Sequence, residues 1–176
     1  MSTTIQQVPT ETYGLDPVHS SFGFGVRYNG LATFRSSFDK VDAQLADGVL
    51  TGSADVNSIV IDEPRFKGHV LAADFFDVEN TPTITFRSTD IRPAEDGSVE
   101  VDGELTIRGV TKPVTATGEY ALGGDAFGCE RAFFAIATTV DRREFGLNWQ
   151  NQLPNGKDAL AWDVTLNVEL QLVKQA

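Results

Sequence analysis

Apolar and polar residues alternate along most of the chain. In the segment HSSFGFGVRY, Phe22, Phe24 and Val26 fall on one face, and serine and glycine residues fall on the other. The same period of two recurs in TITFRS, SVEVDGELTI, FFAIATTV and DVTLNVELQLV. A period of two in so many segments is typical of antiparallel strands that bury one face. The pattern therefore predicts an all-β protein.

Short turn signals separate these segments. All of them favour tight reversals, and they read ADG at 46–48, EDG at 95–97, GGD at 123–125 and PNG at 154–156. Short strands joined in this way predict a sandwich or a barrel. Residues 1–12 lack periodicity, so they are expected to form a flexible polar leader before a single domain at residues 13–176.

One segment, DEPRFKGHVLAADFF, departs from the strand pattern. Asp62 is a plausible N-cap and a proline follows in the first turn, so a short helix is predicted from about residue 63 to residue 72. Phe75 and Phe76 then lie at a junction between helix and strand, where alternation does not apply. We expect Phe76 to pack into the interior and Phe75 to fill the seam between helix and barrel, or the reverse.

Acidic residues outnumber basic ones. The chain has 25 Asp and Glu residues against 14 Lys and Arg residues, for a formal net charge of -11. This balance argues against binding to nucleic acid or to anionic membrane surfaces, because both reward a basic face. No apolar run is long enough to span a membrane and no signal peptide is visible, so a cytoplasmic location without membrane insertion is expected. If a signal peptide had already been removed from this sequence, the expected location would be periplasmic.

The sequence offers few residues for metal or disulfide chemistry. The one cysteine, Cys129, has no partner for an internal disulfide and is expected to be a small buried thiol. The two histidines, His19 and His69, do not form the local pairs typical of a structural zinc site, so no metal site is predicted. The chain also lacks a nucleophile elbow, a P-loop and a dinucleotide-binding motif.

The sharpest polar cluster is DRREFGLNW, in which Arg142 and Arg143 are adjacent. Arginine binds phosphate and carboxylate groups through paired hydrogen bonds, so both residues are candidates for an anion clamp at the mouth of a barrel. A surface ion network beside a turn is the other interpretation, and the spacing alone favours it.

Phenylalanine is the dominant large residue, with 12 Phe against one Met. Ten of them fall mostly on predicted inner faces: Phe22, Phe24, Phe34, Phe38, Phe66, Phe75, Phe76, Phe86, Phe134 and Phe145. They would form either a solid aromatic core or the lining of a cavity for an apolar ligand. A barrel of about eight strands is near the size at which both arrangements occur, so the pattern alone leaves both open.

Four motifs in order carry a resemblance to a known family. They are LDPVHSSFGFGVRY at 15–28, GHVLAADFFDVENTPTITFRS at 68–88, GELTIRGVTKPV at 103–114 and DRREFGLNW at 141–149. Together they resemble the YceI-like, polyisoprenoid-binding family over nearly everything from Tyr13 to Lys174. The resemblance implies an eight-stranded antiparallel, lipocalin-like barrel with a short helix near its opening and an elongated apolar tunnel inside.

The resemblance also implies a function. It implies binding, carriage or sequestration of a long apolar lipid, such as a polyisoprenoid, an isoprenoid quinone or a fatty-acid-like amide, without enzymatic activity and with no required cofactor. A homodimer is left open. Two alternatives are kept: an isomerase or cyclase with His69 or an aspartate as its base, and a structural or stress protein with a solid core.

Residues are assigned to this expected site from the matching motifs and from the inner-face pattern. The predicted tunnel lining is Phe22, Phe24, Val26, Phe34, Phe38, Leu71, Phe75, Phe76, Phe86, Phe134, Ile136, Phe145 and Trp149. The candidates for contact with a polar headgroup are His69, Arg142 and Arg143. The chain departs from many relatives in reading FKGHV, where they read RDxHL, before the phenylalanine pair.

Overall fold

The computed structural model describes residues 7–176. They form ten β-strands and one α-helix, α1 (Pro64–Leu71), which lies between the fifth and sixth strands. The strands in chain order are β1 (Tyr13–Leu15), β2 (Ser21–Tyr28), β3 (Ala32–Ser37), β4 (Val41–Ala46), β5 (Val49–Asp55), β6 (Thr83–Pro93), β7 (Ser98–Ile107), β8 (Val110–Gly124), β9 (Glu130–Asp141) and β10 (Leu160–Lys174).

The strands close into an antiparallel barrel. The sheet runs in the order β1-β4-β5-β6-β7-β8-β9-β10, and pairing of β10 with β1 closes the ring. The segments β1 and β2 both pair with β10, at Leu15↔Leu172 and Ser21↔Glu169, so they are two parts of one interrupted strand. In the same way β3 pairs with β2 and β4 pairs with β1. The predicted eight-stranded barrel is therefore confirmed.

Tight hairpins join neighbouring strands. At Asp47 and Gly48, within the predicted ADG turn, φ is 53° and 75°. The pairs Asn29–Gly30 and Arg108–Gly109 have the same left-handed backbone. Positive φ at both central residues is the requirement of the hairpin turn whose twist matches that of the flanking strands. These turns fix the register that carries every second residue to the inside.

Large side chains fill one end of the barrel, which we call the closed end. Tyr13, Leu45, Val101, Phe134 and Leu172 are almost completely buried there. Burial of each such side chain stabilises the fold by about 1.5–3 kcal/mol. Burial also raises the pKa of Tyr13 to about 12, with a further contribution from its hydrogen bond to Glu130. The interior is solid at this end.

Part of the predicted leader lies against the closed end. Val8 packs on the buried cluster, and the Tyr120 hydroxyl donates to the carbonyl of Gln7 over 3.3 Å. The backbone carbonyl of Thr10 accepts a hydrogen bond from Asp47. Residues 7–12 are therefore attached to the barrel, and residues 1–6 of the predicted leader lie outside the described residues.

The helix covers the other end, which we call the mouth. Its bounds agree closely with the prediction, but Asp62 is not its N-cap. The side chain of Glu63 accepts a hydrogen bond from the Phe66 N–H at 2.6 Å instead. The residue before a proline is restricted to extended backbone, so Pro64 at the first helical position makes Glu63 the last non-helical residue.

Cys129 is exposed, contrary to the expectation of a buried thiol. It ends the turn between β8 and β9, where the Asp125 carboxylate accepts its backbone N–H at 3.0 Å. A residue held in a turn follows the geometry of the turn and does not share the alternation of the strands. The cysteine therefore belongs to the surface of the closed end.

Candidate functional site

Two apolar cavities occupy the barrel between the closed end and the mouth. The lower chamber, of about 140 Å³, includes Phe22, Leu50 and Phe86 in its wall. The upper chamber, of about 160 Å³, lies under α1 and includes Val26 and Phe145. Five residues line both chambers: Phe24, Phe38, Ile84, Ile107 and Leu166. Because the chambers share these walls, we describe them as one tunnel.

The burial pattern of β10 shows where the interior stops being solid. Leu172, at the closed end, lines neither chamber and is completely buried, and Leu170 is buried where the lower chamber ends. Val164, Leu166 and Val168 point to the same inner face but are only half-buried, because they line the chambers. The phenylalanine pattern left a solid core and a lined cavity open as alternatives. The structure has both, because the interior is solid at the closed end and hollow toward the mouth.

Small residues open the lower chamber. Ala43, Gly52, Ala54 and Ala116 all line it. A Cβ on Gly52 would lie 3.6 Å from Cε1 of Phe22, which is an ordinary contact distance, so a side chain longer than that of alanine would extend toward the ring. Sequence analysis missed these residues. The signal was present in LTGSAD, where a large inner residue is followed at intervals of two by small ones.

Aromatic rings surround the boundary between the chambers. The ring of Phe24 lies 5.7 Å from that of Phe38 and 6.2 Å from that of Phe34, both in tilted orientation. Tilted ring pairs at such distances are mutually favourable beyond the area that they bury. Phe24 and Phe38 line both chambers and Phe34 lines the upper one, so the three rings lie along the path from the mouth to the lower chamber.

Phe75 and Phe76 line the upper chamber together. Their rings lie 5.3 Å apart, and both are half-buried. The expectation that one ring would enter the interior while the other filled a seam was therefore wrong. After the helix ends at Leu71, a turn forms in which the Phe76 N–H reaches back to the Val70 carbonyl at 3.1 Å, so consecutive side chains face the same chamber.

The imidazole of His69 lines the upper chamber and carries a polar atom without a partner. Its Nε2 is buried and, among the described residues, has no hydrogen-bond partner. The imidazole packs edge-on against Trp149 at 4.8 Å and lies 6.2 Å from the ring of Phe75. A buried polar atom without a partner costs about 1–3 kcal/mol, so it calls for a polar group or water at that point.

Arg142 lines the upper chamber but is engaged by the protein itself. Its guanidinium donates to the backbone carbonyls of Leu147, Trp149 and Ala161, and lies 4.2 Å from the Trp162 ring. It is only 2 % exposed. Burial lowers its pKa to about 10, so it stays charged at neutral pH. Its main role in the structure is to hold the connection between β9 and β10.

Arg143 lies outside the tunnel wall. It forms an ion pair with the Asp141 carboxylate at 2.6 Å and stacks over the Trp162 ring at 4.8 Å. The hydrogen bond from Arg143 holds the pKa of Asp141 below its usual range. This is the surface ion network that the spacing favoured, so the structure does not bring Arg143 to the predicted headgroup site.

Two residues of the predicted tunnel lining lie elsewhere. Phe134 is 1 % exposed and packs on Tyr120 in the closed end, with ring centroids 5.0 Å apart. Leu71 lines neither chamber, because Phe66, His69 and Val70 form the inward face of α1 at helical spacing. The other predicted lining residues all border a chamber: Phe22, Phe24, Val26, Phe34, Phe38, Phe75, Phe76, Phe86, Ile136, Phe145 and Trp149.

Carboxylates are absent from the described walls of both chambers. Within residues 7–176, no three His, Cys, Asp or Glu side chains gather closely enough to hold a metal ion. Across the same part of the chain, α1 and the other helical turns are too short or too polar to cross a bilayer. The titratable groups of the tunnel are therefore His69 and Arg142.

The chain is similar to known proteins in sequence and in fold. A family model described as YceI-like domain matches residues 13–172. A UPF0312 protein of Vibrio cholerae is 31% identical over 137 residues, which cover 73% of this chain and 72% of the relative.

Solved structures have the same fold. BcnA of Burkholderia cenocepacia has a TM-score of 0.74 at 22% identity, over 89% of this chain and 98% of that one. A polyisoprenoid binding domain from Saccharophagus degradans, described as implicated in plant cell wall breakdown, has a TM-score of 0.71 at 13% identity, over 93% and 98%. At these identities the likeness shows the fold alone. The match of the family model over nearly the whole barrel shows more: the chain belongs to the YceI-like domain family.

Proposed function

We propose that this protein binds a long apolar lipid in its tunnel and carries or sequesters it. The observation that carries the proposal is the tunnel itself, two adjoining chambers with apolar walls in which His69 Nε2 is an unpartnered polar atom. A related fold is described as a polyisoprenoid binding domain, which supports a polyisoprenoid, an isoprenoid quinone or a fatty-acid-like amide as the ligand class.

Burial of the hydrocarbon chain supplies the affinity. Each CH2 removed from water contributes about 0.8 kcal/mol, so about fifteen buried carbons contribute about 12 kcal/mol. Association and ordering cost about 4–15 kcal/mol. The two terms are comparable, so a chain that fills both chambers binds and a short chain does not.

His69 is the residue that we assign to the polar head of the ligand. The imidazole lines the upper chamber, on the side of the helix and the mouth, and its Nε2 is buried without a partner among the described residues, so the lipid chain would extend inward past Phe24. Arg142 is less suited to this contact, because each of its guanidinium nitrogens already donates to a backbone carbonyl. The bound lipid itself requires no additional cofactor.

An isomerase or cyclase is the less favoured alternative. Proton transfer at carbon generally needs a base and an acid placed around the substrate. His69 would have to serve without a carboxylate, because none lines the described walls of either chamber. We therefore favour binding without covalent chemistry. A cytoplasmic location remains a prediction from the sequence, and the homodimer remains open.

Native mass spectrometry after gentle purification tests the proposal, followed by titration of delipidated protein with a prenyl alcohol, a quinone and a fatty amide. Ala116→Leu fills the lower chamber and should abolish uptake while the barrel stays folded. Ala121→Leu, on the exposed face of the same strand, should bind like the parent protein. Absence of co-purified lipid together with absence of uptake would refute the proposal.

A further inference from the structure

The exposed large apolar residues concentrate at the mouth. In the part of the chain that the structure describes, six such residues occur. Four belong to the β2–β3 hairpin, to the segment that leads into α1 and to α1 itself: Tyr28, Leu31, Val60 and Phe66. Val18 and Phe127 belong to the closed end, in the loop between β1 and β2 and in the turn between β8 and β9.

The apolar group at the mouth is continuous with the tunnel. Leu31 is 89% exposed at the tip of the β2–β3 hairpin. Phe66 is 40% exposed on α1, yet it also lines the upper chamber and packs edge-on against Phe34 at 5.4 Å. Phe66 therefore links the outer surface to the tunnel wall. Exposed apolar patches next to a binding cavity mark interaction sites more often than isolated apolar residues do.

The same segments carry positive charge. Residues 27–36 and 60–71 contain Arg27, Arg35, Arg65 and Lys67 against two acidic residues, Asp62 and Glu63, so their formal charge is +2. The side chains of Arg35, Arg65 and Lys67 form no ion pair with any of residues 7–176, in contrast to the arginines at 92, 131 and 143. Of the two acidic residues in this surface, Glu63 is engaged as the helix N-cap.

We propose that this mouth surface, residues 27–36 with residues 60–71, docks on an anionic lipid bilayer and opens the tunnel onto it. Leu31 and Phe66 would enter the interfacial layer, and Tyr28 would lie at the level of the headgroups, where aromatic residues are favoured. Arg35, Arg65 and Lys67 would meet lipid phosphates. The inference rests on the proposed function, since a lipid carrier must take its ligand from a membrane or return it there.

The net charge of -11 argued against binding to an anionic membrane surface, but that argument treats the charge as spread evenly over the protein. Salt screens exposed charges over about 8 Å at physiological ionic strength, so only the groups nearest the bilayer contribute to docking. The acidic remainder of the barrel would be repelled from the same membrane. Repulsion of the other faces makes docking oriented and reversible, and both properties suit a carrier.

Vesicle sedimentation of the full chain tests the inference, with vesicles of phosphatidylcholine alone and of phosphatidylcholine mixed with phosphatidylglycerol. Leu31→Glu should weaken binding to the mixed vesicles by at least about tenfold, because it removes an inserted apolar side chain. The matched control is Phe127→Glu, which changes an apolar residue of similar exposure, 91%, at the closed end and should bind as the parent does.

Charge variants test whether the basic side chains of the mouth surface contact lipid phosphates. Arg35→Gln and Arg65→Gln should each weaken binding to the mixed vesicles by roughly fivefold, and added salt should weaken it further. Arg87→Gln, on the outer face of β6, is the control and should leave binding unchanged. Equal binding to both kinds of vesicle, or equal losses in the Leu31 and Phe127 variants, would overturn the inference.

A transfer assay separates this inference from the proposed function. The parent protein and Leu31→Glu should take up prenyl alcohol dispersed in detergent equally well, while uptake from vesicles should be slower in the variant. Failure of both proteins to take up dispersed lipid would refute the proposed function. Normal uptake from detergent without vesicle binding would overturn bilayer docking alone and would point to a protein as the delivering partner.

Discussion

His69 presents its imidazole edge-on to the indole of Trp149, with 4.8 Å between the ring centroids. The backbone of Trp149 is held in turn by Arg142, whose guanidinium donates to the Trp149 carbonyl at 2.7 Å. One backbone hydrogen bond and one ring contact therefore connect Arg142, Trp149 and His69. The imidazole lines the apolar upper chamber, and its buried Nε2 has no partner among the described residues.

Replacement of His69 by phenylalanine should separate stability from headgroup recognition. His69→Phe removes the unpartnered nitrogen, so delipidated protein should gain up to about 1–3 kcal/mol in its free energy of unfolding. The same change should weaken binding of a quinone by about 0.5–1.5 kcal/mol, the net contribution of one hydrogen bond. Denaturant titration measures the first quantity and ligand titration the second.

A hydrocarbon of the same chain length without a polar head provides the control for His69→Phe. Its affinity should not fall in the variant, because it makes no hydrogen bond to Nε2. Equal losses for the quinone and for the hydrocarbon would show that the histidine matters only for the shape of the chamber.

Arg142 should be far more important for stability than its neighbour Arg143. Arg142→Leu removes the donors of the buried Leu147 carbonyl and of the partly buried Trp149 and Ala161 carbonyls. Each carbonyl left without its donor costs about 1–3 kcal/mol, so the free energy of unfolding should fall by at least about 3 kcal/mol. Arg143→Leu changes an exposed ion pair and should have little effect, so similar losses in both variants would contradict the assignment.

The sequence could not separate these two arginines. They are adjacent in DRREFGLNW, and their different fates depend on how the connection from residue 147 to residue 161 folds back over Arg142. The sequence could not predict the contact between His69 and Trp149 for the same reason, because that contact forms only when the barrel closes. In contrast, the inner positions Phe22 and Phe24 followed directly from alternation.

The helix shows a second limit of sequence reasoning. Its existence and approximate bounds follow from the proline and from the loss of alternation. Its inward face depends on how it docks, so Leu71 was expected in the tunnel while the stripe of Phe66, His69 and Val70 actually lines it. Local pattern therefore predicted which elements form, and packing decided which of their residues reach the chamber.

Two phenylalanines should separate the hollow part of the barrel from the solid part. Phe134→Ala, in the closed end, should lower the free energy of unfolding by about 3–5 kcal/mol, as expected for a fully buried ring. Phe76→Ala should cost less, because its ring is half-buried and already borders a cavity. Only Phe76→Ala should speed the loss of bound lipid, measured by transfer to acceptor vesicles.

A comparison of Phe75→Ala with Phe76→Ala tests whether both rings belong to one wall. The two rings lie 5.3 Å apart in the same chamber, so both variants should release lipid faster than the parent protein. Unchanged release in either variant would restore the original expectation that one ring lies in a seam.

Acid should loosen the closed end through Asp16, Asp125 and Arg131. The guanidinium of Arg131 pairs with Asp16 at 2.7 Å and with Asp125, and all three side chains are mostly buried. The pKa of Asp16 is held below its usual range by hydrogen bonds from His19 and from Arg131. The pKa of Asp125 is lowered by Arg131 first and by the backbone N–H of Cys129 second.

Both carboxyls therefore bind protons more weakly in the folded protein than in the unfolded chain, where the pKa of an aspartate is about 3.9. Their contribution to stability is fully present above that pH and is lost as the pH falls through the lowered values of the folded state. Denaturant midpoints should accordingly decline with acid below about pH 4.

Asp125→Asn should flatten this decline, because the amide does not titrate. Asp74→Asn, at an exposed carboxyl with no partner among the described residues, is the matched control and should leave the slope unchanged. An equal slope in the parent and in the Asp125 variant would contradict the role of the cluster.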